Sequence, residues 1–309
     1  MDSGIKKGIY LALATAAFSG VANFVNQFTV RYIGDALVFT TIKNSLVALL
    51  IISVLIIFKK LSEIKRLNLK DIGLLLSIGV IGGSLPFYLF FSALAQIPAI
   101  NASLIHKSLV IWVALLAVPF LKERFSKLQL LAIMTVFGAN LVVGGFKGFA
   151  FNRPEFFVLA ATILWSIENV IAKITLRRVD PDIVIASRMG IGSAILVMTV
   201  VILGKGQMLF SLKPDQFALT FLTTLLLFGY VSTWYRALRL TPITLVATVL
   251  TLATLVTNGL SAVFITHKLT PDQITQFILL IAGSALFINA IAKFPSSSIK
   301  KLASKRAIT

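Results

Sequence analysis

The sequence predicts an all-α integral membrane protein with ten transmembrane helices, arranged as two inverted repeats of five, and with both termini cytoplasmic. Three observations carry this expectation. Apolar residues come in ten runs of membrane-spanning length, Lys and Arg cluster on alternate connections, and the second half of the chain echoes the first at a near-constant offset.

Of the 309 residues, 58% are hydrophobic and 13% charged, and the mean hydropathy is +0.96. A water-soluble domain of this length cannot cover so much apolar surface. A hydrocarbon core about 30 Å thick needs about 20 apolar residues per helix. Windows of that size lie near 8–30, 36–58, 71–95, 99–120, 127–146, 154–176, 182–203, 215–237, 243–265 and 272–292. They lack the period-2 alternation of a membrane β-barrel. Lys6 and Lys7 before the first run resemble a signal-peptide start, but the run from Gly8 to Val30 is longer than such a core and reads as a retained first helix. There are no cysteines, so disulfides and thiolate metal sites are excluded.

With the N-terminus placed inside, 19 Lys and Arg fall on inside segments and 6 on outside ones. This bias predicts cytoplasmic termini and an even number of spans. It also accounts for most of the net charge of +18. These basic residues are orientation signals and headgroup contacts with the bilayer, and no nucleic-acid partner is expected.

At an offset of 144, ALAQIPAINAS (93–103) lies over ALRLTPITLVA (237–247), and KERFSKLQ (122–129) over THKLTPDQ (266–273). At 145, Asn23 lies over Glu168, Lys43 over Arg188 and Gly138 over Gly283. The expected organisation is a first repeat at 1–150, a second at 151–293 and a basic cytoplasmic tail at 294–309. Five spans per repeat turn the second half upside down relative to the first. Such inverted repeats are the architecture of secondary transporters, with a site near the midplane.

The stretches ALAQIPAINASLIHKSLVIWVALLAVPFLKERFS, LAATILWSIENVIAK and YRALRLTPITLVATVLTLATLVTNGLSAVFITHKLT resemble the EamA-type members of the drug/metabolite transporter superfamily. The likeness runs over essentially the whole chain. It implies a ten-helix transporter with a central cavity lined mainly by spans 1, 3, 4, 6, 8 and 9. Two departures stand out. The family often carries a proline midway along spans 4 and 9, where this chain has Val110 and Thr254. The second acidic turn is reduced to Thr266-His267-Lys268.

Lys107, inside the apolar run ASLIHKSLVIWVALLAV, is the first candidate for binding substrate, since a charge at bilayer depth needs a reason. Its repeat partner is Thr251. On span 9, Thr244, Thr248, Thr251, Asn258 and Ser261 share an arc of about 140°, a stripe that suits a cavity wall or tight helix packing. Ser103 shares the face of Lys107, whereas His106 lies about 100° away and reads as a packed neighbour. Glu168 and Arg188, twenty residues apart across a turn, lie within reach of a buried ion pair, and Asn23 and Lys43 are their counterparts. Lys43 and Arg188 alternatively reach the headgroups, as Lys173 is expected to. Tyr88, Trp165, Trp234 and Tyr235 either wall a cavity or anchor span ends at the interface. Gly79 with Gly83, and Gly190 with Ala194, read as close helix contacts.

The excess of positive charge within the spans favours a small polar solute that is anionic or, with Glu168 near an amine, zwitterionic, such as an amino acid. Alternatively, Lys107 is uncharged while the site is empty. Glu168 and His106 are the candidates for proton coupling. No GxxxxGK[ST] motif occurs, so no ATP-driven pumping, cofactor, catalytic residue or bound metal is expected, and nothing in the sequence sets an oligomeric state. The expected setting is the plasma membrane, crossed many times. The rival classes are a membrane transferase, for which only Asp180-Pro181-Asp182 offers loop acids, and a non-transporting receptor or scaffold.

Overall fold

A computed structural model describes residues 3–94, 96–97, 99–142 and 148–293, all helix and connection. The expected basic tail at 294–309, the turn residues Ala95 and Pro98, and the end of the fifth predicted run lie outside the described residues. Among the described residues, nine helices are long and apolar enough to cross a membrane. They are α1 (Ser3–Ile33), α2 (Ala36–Ile57), α3 (Leu69–Ala93), α4 (Asn101–Leu121), α6 (Arg153–Thr175), α7 (Pro181–Ile202), α8 (Pro214–Leu240), α9 (Ile243–Thr266) and α10 (Pro271–Ala292). The shorter apolar helix Lys127–Leu141 is α5.

Local chemistry sets the helix starts. Asp35, Asn68, Asn152 and Asp180 each accept amide hydrogen bonds at the first turns of α2, α3, α6 and α7. Ser126 and Gln129 form a reciprocal capping box at α5. Prolines enter the first turns of α6, α7 and α8, where the missing N–H has no helical partner to lose. Large apolar side chains such as Leu49, Ile56, Met134, Met198 and Ile278 point outward, as a lipid-facing surface requires.

The helices pack across the two halves in a pattern that repeats. α1 lies on α8 and α9, while its counterpart α6 lies on α3 and α4. α2 packs on α7, and α5 on α10, each helix against its own repeat partner. Every major contact therefore has a two-fold mate or lies on the axis, which is the arrangement inverted repeats produce. The close crossing of α3 and α7 depends on small residues. At Gly83 a β-carbon would strike the Arg188 carbonyl, and one at Gly192 would come within 2.5 Å of Gly83 Cα. The expected GxxxG pair Gly79 and Gly83 thus does face a neighbour. On α7 the contact is made by Gly192, whereas Gly190 has nothing within 4 Å of its would-be β-carbon and was misassigned by spacing.

A side chain at position 192 should force α3 and α7 apart. Gly192→Val is expected to lower stability in detergent by roughly 1–3 kcal/mol, the usual cost of overpacking, while Gly190→Ala leaves the melting temperature near wild type. Equal melting temperatures for the two variants would show that this crossing is not tight.

Candidate functional site

Between α1, α3, α4 and α9 lies a cavity of about 390 Å³. α4 contributes Ser103, His106, Lys107, Leu109 and Val110, and α9 contributes Ala247, Leu250, Thr251, Thr254, Thr257 and Asn258. Ser19 and Asn23 of α1 and Phe90 of α3 close the wall. Lys107 is half-buried there, and among the described residues it has neither a hydrogen bond nor an acidic partner.

Both lining helices are interrupted beside the cavity. In α4 the amides of Ser108 and Ile111 turn to carbonyls three residues back, at 3.1 and 2.9 Å. The Ser108 hydroxyl donates to the Ile105 carbonyl at 2.6 Å and accepts from the Trp112 indole at 3.0 Å. In α9 the amides of Thr251 and Leu252 do the same, and the Thr251 hydroxyl donates to the Thr248 carbonyl at 2.6 Å. Hydroxyl bonding to the preceding turn tightens the backbone locally. Ser108 and Leu252 are repeat equivalents, so the two breaks match. The chain breaks these helices with hydroxyls, although Val110 and Thr254 stand where the resembled family often has proline.

The expected site residues divide into separate groups. Lys107, Thr251, Asn23 and Ser103 share the cavity. His106 joins them while packing edge-on against Trp165 and Phe90, with ring centroids 5.0 and 5.6 Å away. Its Nδ1 is buried with no hydrogen bond among the described residues. Trp165 stands behind His106 and donates to the Gly82 carbonyl at 3.2 Å. Beyond Trp165 lies a buried triad. Tyr235 donates to Glu168 at 2.6 Å, Arg188 donates to Tyr235 at 3.1 Å, and Arg188 lies 3.8 Å from the second carboxylate oxygen. Gly82 makes room for it, because a β-carbon there would overlap the Glu168 side chain.

The remaining candidates lie away from the cavity. Thr248 is buried and donates to the Thr244 carbonyl at 2.7 Å. Lys43 is buried with its ammonium 4.6 Å from the Phe39 ring centroid, and no acid pairs with it among the described residues. Tyr88 of α3 is 37% exposed and is not part of the cavity lining. Lys173 overturns the expectation that it reaches the headgroups. It is buried and donates to the carbonyls of Leu238 and Thr241, the latter at 2.6 Å, because the end of α8 presents acceptors that lack helical donors. Trp234 is likewise no interface anchor; it is buried and donates to Asn169 at 3.2 Å.

Sequence reasoning missed Glu123. This carboxylate, at the end of α4 in the first repeat, accepts from the Ile243 amide at 3.0 Å and the Thr244 hydroxyl at 2.7 Å. It thereby caps α9 in the second repeat, whose own N-cap, Pro242, offers no side-chain acceptor. Its signal was the turn KERFS, read as part of the repeat and of the resemblance but not as a cap.

The EamA-like transporter family model matches residues 6–145 and again 152–289. The chain belongs to the EamA-like transporter family. A relative from Methanothermobacter thermautotrophicus, described as an uncharacterized transporter, is 28% identical over 145 residues, spanning 45% of this chain and 42% of the relative. A solved crystal structure superposes with a TM-score of 0.74 over 91% of this chain and 96% of its own, at 15% identity, which speaks for the fold alone. In this EamA-like transporter the cavity draws on α1, α3, α4 and α9. α6 and α8, which the resemblance also placed around it, contribute Glu168 and Tyr235 to the neighbouring triad, completed by Arg188 of α7.

Two variants probe this arrangement. Glu168→Ala strands Arg188 in the interior and is expected to cost about 3–5 kcal/mol of stability, with Glu168→Met/Arg188→Met recovering most of it. Denaturation in detergent reads both, and a mild single variant would mean that Arg188 finds water. For Glu123, burial holds the carboxyl above the usual carboxylate range, although the Thr244 bond and the Lys173 charge pull the other way. Its protonated form is favoured by folding, so the cost of the charge is present at high pH and fades as pH falls through the raised pKa. Relative to Glu123→Gln, the wild type should therefore gain melting temperature from neutral pH down toward the ordinary carboxylate range. A flat difference would place Glu123 among solvated acids.

Proposed function

We propose that this EamA-like transporter is a secondary carrier that moves a small polar metabolite across the plasma membrane by alternating access. The observation that carries the reading is the cavity itself. A mostly apolar cavity holding one lysine and several neutral polar side chains lies between helices of the two repeats, and matched helix breaks flank it on α4 and α9. Repeats at 1–150 and 151–293, with cytoplasmic termini and a basic tail, fit the charge bias.

Lys107, Thr251, Asn23 and Ser103 form the substrate-binding wall in this reading. His106 borders the cavity and is the better placed candidate for proton coupling. Glu168 would first have to part from Arg188 and Tyr235. A membrane transferase has less support: Asp180 and Asp182 are held by Lys60, Arg236 and Arg239 as a structural knot.

The chain has no cysteines, which makes access measurable. Lys107→Cys and Thr251→Cys are expected to react with a membrane-impermeant maleimide both in right-side-out and in inverted vesicles. Labelling from neither side, or from one side under every condition, would sink the alternating-access reading.

A further inference from the structure

We infer that the solute bound beside Lys107 is a small organic oxyanion, a carboxylate or phosphate monoester that carries hydroxyl groups and no ammonium group. The inference rests on the proposal that the cavity is the substrate site, and it narrows what that site accepts.

The argument begins with charge. Lys107 lines the cavity, and among the described residues no Asp or Glu does. Among the described residues no carboxylate lies within ion-pair distance of its ammonium. A half-buried cation in a mostly apolar, partly open cavity is less well solvated than one in bulk water, and a bound oxyanion supplies a counter-charge with charge-assisted hydrogen bonds. The sequence left a zwitterion open because Glu168 could have met an amine. The structure removes that partner. Glu168 does not line the cavity; it is fully buried, accepts from Tyr235 and faces Arg188. An ammonium group in the cavity would therefore meet Lys107 and no anion.

The rest of the wall describes the body of the ligand. Asn23, Ser103, Thr254 and Asn258 are neutral polar groups, suited to hydroxyls rather than to a second charge. Phe90 and Leu250 add apolar surface for a short carbon chain. The volume of about 390 Å³ lies near the lower end of the 300–1,000 Å³ typical of ligand pockets.

The test uses the purified full chain and matched compounds of three to six carbons. Glycerate, serine, glycerol 3-phosphate and glycerol share one backbone, and malate with aspartate, and gluconate with glucosaminate, extend the comparison. Ligand-induced rises in melting temperature are read for wild type, Lys107→Met and Lys107→Arg, and binding is titrated for every compound that shifts it. At least one hydroxy acid or phosphate ester should bind wild type about tenfold or more tighter than its amino counterpart, with the neutral member weaker still. Lys107→Met should weaken that binding on the order of 10- to 100-fold, and Lys107→Arg should retain part of it. The carboxylate and phosphate arms decide which head group is preferred. Unliganded melting temperatures of both variants near wild type exclude a folding defect, and Lys107→Arg preserves the comparison if Lys107→Met melts early.

The inference is overturned if an amino acid or amine binds as tightly as its hydroxy counterpart, if anion binding survives Lys107→Met, or if no anion of the panel binds. Uptake into proteoliposomes separates this from the broader proposal. An anion that binds through Lys107 but is never translocated defeats the carrier reading and leaves the anion site. Translocation of an amino acid with no anion accepted does the reverse.

Discussion

A bilayer interior offers no water to a charged side chain, and this chain buries several at depth. The constraint explains much of the internal architecture. Glu168, Arg188 and Tyr235 satisfy one another in a triad at the contact of α6, α7 and α8. Lys173 uses the carbonyls at the end of α8. Lys43 lies against an aromatic face, a weaker arrangement that stabilises a cation by about 0.5–2 kcal/mol depending on desolvation. Lys107 alone among these opens onto a chamber large enough for a solute. The charged groups thus sort into those with protein partners and one that faces open space.

Much of the fold was legible because membranes impose coarse rules. Runs of about 20 apolar residues mark the spans, and the Asp180-Pro181-Asp182 turn carries the start of α7 in its sequence. Lys107, Thr251 and Ser103 could be grouped from helical spacing and the repeat, whereas the repeat paired Asn23 with Lys43 and only the structure brings it to the cavity. What spacing does not carry is the rotation of one helix against another. Gly190 and Gly192 look interchangeable in sequence, yet only Gly192 meets α3. Tyr88 and Trp165 are both aromatic residues on spans, yet one is exposed and the other is buried and bonded to the Gly82 carbonyl. Glu123 escaped because its partners, Ile243 and Thr244, lie some 120 residues away, and a cap supplied by another repeat leaves no local pattern.

The interruptions in α4 and α9 connect packing to motion. A continuous helix resists bending because every amide is bonded to the turn before it. At Ser108 and Thr251 the side-chain hydroxyl competes for that turn, so the helix can flex there without leaving a carbonyl unsatisfied in the apolar interior. The breaks lie at the cavity wall, so bending at either one changes the shape of the chamber.

Glu123 also distinguishes the two membrane faces. It ties the end of α4 to the start of α9. At the equivalent place in the second repeat stands His267, which cannot offer a carboxylate to the start of α4. The bond from α4 to α9 therefore has no carboxylate counterpart in the second repeat, and two halves that match in their packing are fastened unequally where one repeat ends against the other.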